Sequence, residues 1–107
     1  GKGGTINIEL NGRSSISSSG SGSSTDESAI KIENFTGKLN IIINDSTLSS
    51  QVGNCIYLIN CTGTNKITLN NATLTGKTAL NISGNTKVTV TKNGGEPQTY
   101  TNSANTL

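Results

Sequence analysis

A stretch of this chain repeats itself 26 residues later without a gap. Residues 30–51 laid over residues 56–77 put Ile30 on Ile56, Asn34 on Asn60, Thr36-Gly37 on Thr62-Gly63 and Ile41 on Ile67. Further along, Asn44 falls on Asn70 and Thr47-Leu48 on Thr73-Leu74. Other columns match in kind, such as Ile32 with Leu58, Ile43 with Leu69 and Phe35 with Cys61. A fixed period of this size predicts a solenoid, because one such unit cannot bury its apolar face without a neighbour.

The apolar residues are few, but they fall in short alternating runs. Ser, Thr, Asn and Gly make up over half of the 107 residues, with no Met or Trp and three aromatics. Such polarity in an unpatterned chain argues for disorder. Here Ile6, Ile8 and Leu10 alternate with Asn7 and Glu9, and the pattern returns at Leu39, Ile41 and Ile43, at Ile67 and Leu69, and at Val88 and Val90. A second column reads Ile30 and Ile32, Ile56 and Leu58, Leu80 and Ile82. A third holds one aliphatic each, Ile16, Leu48 and Leu74, flanked by Ser or Thr. Three short strands per repeat, joined by turns, predict a single all-β domain over 1–107, a parallel β-helix of about four coils. The steps from Ile8 to Ile41, Ile67 and Val88 shrink from 33 to 26 to 21, so turns absorb the difference. The longest excursion, residues 17–28, reads SSSGSGSSTDES and is expected to be a flexible polar loop.

Asparagine marks the corners. Asn11, Asn44 and Asn70 follow the last inward aliphatic of the first column, and Asn34 and Asn60 end strands of the second. Asn accepts the left-handed conformation of a sharp corner and can hydrogen-bond along a stack, so an internal asparagine ladder is expected. Cys55 and Cys61 have a strand between them. An extended span of that length is roughly 20 Å, beyond disulfide reach, so both are read as buried small apolar residues. Residues 88–101 read as a strand, an Asn-Gly turn and a return strand, a cap for the C-terminal end. The N-terminal end has no such cap. It is expected to join a neighbouring domain or to pack on another copy, which makes self-association through coil ends a candidate interaction.

The pair IKIENFTGKLNIIINDSTLSS and IYLINCTGTNKITLNNATLTG resembles coils of right-handed, pectate-lyase-like β-helices. In particular it is similar to carbohydrate-binding β-helix domains of exported bacterial proteins, over roughly residues 5–93. The resemblance implies the right hand of the winding, a polysaccharide partner and an extracellular or cell-surface location. The same aliphatic and Asn pattern occurs in adhesins and phage tail fibres, so a structural spacer or assembly segment is the competing expectation.

Catalysis is not expected. The chain has no histidine, which removes Ser-His-Asp and Cys-His chemistry and the commonest metal ligand. The lyase resemblance would call for acidic calcium ligands and a basic residue over a groove, and Arg13, the single arginine, has no such set beside it. No cofactor is expected. If a metal enters, it is calcium at Asp26-Glu27, although adjacent carboxylates on a polar loop are ordinarily just solvated. The net charge of +2 is spread thinly, so nucleic acid is not a fitting partner. No apolar run is long enough to span a membrane.

What remains is a surface. Outward positions of the second column stack as Lys31, Tyr57 and Asn81, with Glu33, Ile59 and Ser83 in the next row. Tyr57 is the one aromatic placed on an exposed sheet face. Tyr57, Lys31, Glu33 and Asn81 form the candidate ligand-binding patch, a ring for a sugar to stack on with an amide and charges for its hydroxyls. On the first column, Glu9, Ile42, Thr68 and Thr89 are expected in one row, and Ile42 and Ile59 are expected to be exposed. That mixed row gives no regular Thr array of the kind that ice binding needs.

Overall fold

The computed structural model describes residues 3–19 and 27–107; the central residues of the serine-rich excursion, 20–26, lie outside the described part. Among the described residues the chain is all-β, with no helix. Three passes each lay down three strands. The first gives β1 (Thr5–Leu10), β2 (Ser15–Ser18) and β3 (Ser28–Glu33). The second gives β4 (Lys38–Asn44), β5 (Thr47–Ser50) and β6 (Asn54–Ile59). The third gives β7 (Thr64–Asn70), β8 (Thr73–Thr75) and β9 (Thr78–Ser83). After them come β10 (Val88–Lys92), β11 (Gln98–Tyr100) and β12 (Ala104–Asn105).

Each pass contributes one strand to each of three sheets. Their orders are β1-β4-β7-β10-β11, β2-β5-β8 and β12-β9-β6-β3. Strands of successive passes pair in parallel, with like residues in register: Ile8 beside Ile41, Ile41 beside Ile67, Ile16 beside Leu48, Leu48 beside Leu74, Ile30 beside Ile56 and Ile56 beside Leu80. Side chains alternate across a strand, so each matched aliphatic points into one shared core. The middle pass is sealed. Leu39, Ile41, Ile43, Leu48, Ile56 and Leu58 are all 0% exposed. Each such burial is worth roughly 1.5–3 kcal/mol.

The register of β10 differs from the expected one. Val90, not Val88, lies beside Ile67, and Val88 lies beside Asn65. The step from the third pass to β10 is therefore 23 residues, not 21, and Thr91 rather than Thr89 continues the row of Glu9, Ile42 and Thr68. A shift of two keeps every inward residue inward, so aliphatic alternation could not discriminate between the registers. Asn65 decides it: this amide stands in the column of Leu39 and is buried. Its Nδ2 donates to Cys61 O at 2.8 Å and to Lys87 O at 3.0 Å, satisfying two carbonyls where the chain enters β7 and β10.

The corners are built from amides and left-handed residues, but not as the sequence suggests. Asn44 Nδ2 donates to Asn11 Oδ1 and Asn70 Nδ2 to Asn44 Oδ1, each at 2.8 Å. This ladder runs along the surface, with Asn11 exposed and the other two half-buried, rather than inside. Nor do these three take positive φ; the next residues do, Gly12 at 65°, Asp45 at 49° and Asn71 at 50°. At the other corner Asn34 and Asn60 are left-handed themselves, at 56° and 51°, and Gly84 follows at 69°. Short polar residues and Gly tolerate this region best.

The C-terminal residues fold back onto two of the three sheets. Asn93 and Gly94 both have positive φ and Gly95 N–H donates to Lys92 O at 2.9 Å, the signature of a type I′ hairpin. It turns β11 back antiparallel onto β10, with Val88 opposite Tyr100. Past residue 101, β12 crosses to the third sheet and pairs antiparallel with β9.

Where two passes come closest, a methyl group on Gly63 would overlap the backbone carbonyls of Gly37 and Thr36. Gly63→Ala is expected to cost about 3 kcal/mol or more, since backbone cannot retreat as a side chain can. Gly94 has open space around it but φ of 71°, so Gly94→Ala should cost only about 1 kcal/mol. Urea unfolding of the two variants checks the order.

Candidate functional site

The outward face of the third sheet brings the four expected residues together. Lys31 pairs with Tyr57 in register, and Tyr57 with Asn81, so three side chains stand in one row at strand spacing, about 4.8 Å apart. Two residues on, Glu33, Ile59 and Ser83 form the next row. Alternation sends all six away from the core side chains Ile56, Leu58 and Leu80.

Their surroundings set what each can offer. Lys31 Nζ lies 3.2 Å from Glu33 Oε1, in a partly exposed ion pair of the kind that contributes little to stability. Tyr57 is half-buried, in register between its row neighbours. Asn81 is half-buried too. Its Nδ2 donates to Asn54 Oδ1 at 3.3 Å, and its backbone is paired by Ala104 of β12. That leaves the side-chain oxygen of Asn81 and the second N–H of its amide to offer a ligand. The patch is a flat sheet face with an aromatic centre, one cation, one anion and one amide.

Ile42 and Ile59, expected to be exposed, are half-buried. Stacked neighbours cover their flanks, Glu9 and Thr68 for Ile42, Glu33 and Ser83 for Ile59. No large hydrophobic side chain is exposed among the described residues.

The second sheet carries a feature that sequence reasoning passed over. Around inward Ile16, Leu48 and Leu74 stand two outward rows of hydroxyls: Ser15, Thr47 and Thr73, then Ser17, Ser49 and Thr75. The signal was present as three Ser/Thr-aliphatic-Ser/Thr triplets. Beside these rows runs an open groove of about 480 Å³, lined by Ser17, Ser18, Ser49, Gln51 and Thr75 among others. A second depression of about 260 Å³ lies between β8, β9 and the C-terminal residues.

Two of the described carboxylates are held by neighbouring amides. Asp45 Oδ1 accepts from Asn71 Nδ2 at 2.9 Å, and Glu9 Oε2 from Asn11 Nδ2 at 3.1 Å. No group of three His, Cys, Asp or Glu side chains able to hold a metal occurs among the described residues. Of the residues considered for calcium, Asp26 lies outside the described part, while the Glu27 carboxylate accepts from Ser18 Oγ at 3.4 Å.

Compared with family models, curated proteins and solved structures, the chain finds no match in any of the three.

Both thiols are free and buried, as the strand between them requires. Cys55 Sγ donates to Leu48 O at 3.6 Å, and burial pushes its pKa up to about 11. Burial also raises Cys61, partly offset by hydrogen bonds with the backbone of Phe35 and Ile59. Neither is a nucleophile at neutral pH, since the thiolate is the reactive form. In the unfolded chain Cys55 ionises near 9, below its folded value. The unfolded state therefore holds fewer protons between pH 9 and 11, and stability is lost as pH rises through that window. Cys55→Ala should flatten this alkaline slope in urea unfolding. Both thiols of the native protein should resist Ellman's reagent at pH 8 and react once the chain is unfolded.

Proposed function

We propose that the chain is a non-catalytic polysaccharide-binding module, exported or displayed at a cell surface. We read its winding as a short right-handed parallel β-helix, with three short strands to each of about four coils. The rotation of the chain through three sheets and the in-register pairing of successive passes support that winding, and right-handed crossovers are the general rule for parallel strands. The resemblance to pectate-lyase-like carbohydrate-binding domains belongs to the same reading.

The observation that carries the binding proposal is Tyr57, set in register between Lys31 and Asn81 with Glu33 one row away. An aromatic ring offers an apolar face to the C–H side of a pyranose and a hydroxyl at its rim. Lys31, Glu33, the Asn81 amide and Ser83 surround it with donors and acceptors for sugar hydroxyls. A flat face suits a polymer that lies along it, where a closed pocket suits a small molecule. The Lys31–Glu33 pair can exchange its partly exposed contact for ligand at little cost. Polymers of this kind lie outside the cell, which is the ground for the proposed location. The lack of a histidine, and of any cluster of three acidic or thiol groups among the described residues, favours binding over chemistry.

Affinity electrophoresis through gels carrying pectin, xylan, a soluble cellulose derivative or glycol chitin tests the reading. Retardation is expected in at least one polymer. Tyr57→Ala should weaken it about tenfold or more, a loss of about 1.4 kcal/mol, while Tyr57→Phe keeps most of it because stacking needs the ring. Undiminished retardation of Tyr57→Ala would remove this patch as the site, and mobility unchanged in every gel would remove the polysaccharide reading.

A further inference from the structure

Cations that lie far apart along the chain are gathered by the register of the first sheet. Lys38 stands in β4 beside Thr64 of β7. Lys66 stands two residues further along β7, beside Asn40. Val88 of β10 lies beside Asn65, so Lys87, one residue earlier, comes level with Thr64 from the other side. All three lysines are exposed, and their chain neighbours Leu39, Asn65, Ile67 and Val88 are buried. Alternation therefore sends the three side chains to one outward face. At strand spacing of about 4.8 Å and a rise of about 3.3 Å per residue, Lys66 is roughly 8 Å from each of the other two, Cα to Cα. Lys38 and Lys87 are roughly 10 Å apart on the same basis, with Thr64 between them.

These charges are not balanced locally. Among the described residues none of the three ammonium groups has an ion-pair or hydrogen-bond partner, in contrast to Lys31. The carboxylate that shares their face, Glu9, stands on β1, two strands from Lys66, and accepts from Asn11 Nδ2. That separation is roughly 12 Å, beyond the distance of about 8 Å over which exposed charges act through physiological salt. Glu96 follows the hairpin turn, past the opposite end of β10 from Lys87. The potentials of the three lysines consequently add over one small area. Hydroxyls stand among them, Thr64 between Lys38 and Lys87 and Thr89 beside Lys66.

We propose that this face binds the sulfate esters of an anionic polysaccharide. The inference deepens the polysaccharide reading and rests on it, but it uses a different sheet from the Tyr57 patch. Lysine is a compact point charge on a flexible four-carbon stem. Corners this close lie within reach of one another's stems, so the three ammonium groups can converge on a single anion. A sulfate half-ester presents three terminal oxygens in a pyramid. Three ammonium groups with a threonine hydroxyl beneath them match that shape, whereas the two coplanar oxygens of a carboxylate suit the fork of an arginine. A nucleic acid calls for a longer basic stripe that follows its backbone.

Affinity electrophoresis through gels carrying dextran sulfate, unmodified dextran, polygalacturonate or duplex DNA is the test. Dextran sulfate is expected to retard the protein most, and the effect should fall steeply as salt is raised. Changing Lys38, Lys66 and Lys87 together to Gln should weaken that binding at least about tenfold, while Arg at all three positions keeps most of it. Arg13→Gln with Lys77→Gln and Lys92→Gln removes as many charges elsewhere and should change it little. Every substituted side chain is exposed, so circular dichroism should match that of the parent. Equal loss in the two glutamine triples marks net charge alone and overturns the proposal. So does stronger retardation by polygalacturonate, or equal retardation by DNA. Tyr57→Ala separates the two binding faces. Dextran sulfate binding that survives it keeps this face whatever becomes of the ring patch, and retardation by an unsulfated polymer with none by dextran sulfate removes this proposal alone.

Discussion

Parallel, in-register stacking of one pass of chain on the next is the constraint from which the rest follows. Strands at a spacing near 4.8 Å force each side chain to contact its like in the neighbouring pass. Aliphatics therefore meet aliphatics, and a narrow column of Ile, Leu and Val suffices for a core in a chain that is mostly polar. The same spacing brings amide onto amide. Asn11, Asn44 and Asn70 hydrogen-bond in series because the stacking distance lets one amide nitrogen reach the next amide oxygen. It brings glycine onto glycine as well, where Gly37 and Gly63 let the backbone pass closer than any Cβ would allow.

Polar side chains in this protein complete the backbone's hydrogen bonding rather than merely decorating the surface. Between strands the chain must turn sharply, and carbonyls at the corners lose their ladder partners. Buried Asn65 supplies two of the missing donors, Asn105 bonds the carbonyls of Leu80 and Asn102, and Thr86 Oγ1 accepts from Cys61 N–H while donating to Ser83 O. A composition that looks disordered is thus put to structural use at the corners.

Alternation leaves the outward half of each strand free of the core. The third sheet presents a ring flanked by charge and amide; the second presents two rows of hydroxyls over a shallow groove. Past the third pass the pattern changes, and β11 and β12 lie antiparallel against β10 and β9.

The sequence by itself determined the strands, their inward residues and the neighbours across most of the stack. Identical residues recur where passes coincide, as with Ile30 and Ile56 or Thr47 and Thr73. It also determined that Lys31 and Tyr57 share a row, since they stand one 26-residue repeat apart, while Asn81, 24 residues further on, joins the row through the alternation of Leu80 and Ile82. Only the tertiary structure decided what the repeat leaves degenerate. The two-residue slip of β10 keeps every aliphatic inward, so Asn65 and its two carbonyls had to choose the register. Whether Asn44 or the following Asp45 takes the left-handed turn depends on where the chain leaves the sheet, which alternation does not encode. The half-burial of Tyr57, Ile42 and Ile59 likewise comes from neighbours one pass away, because exposure is a property of the stack and not of a strand.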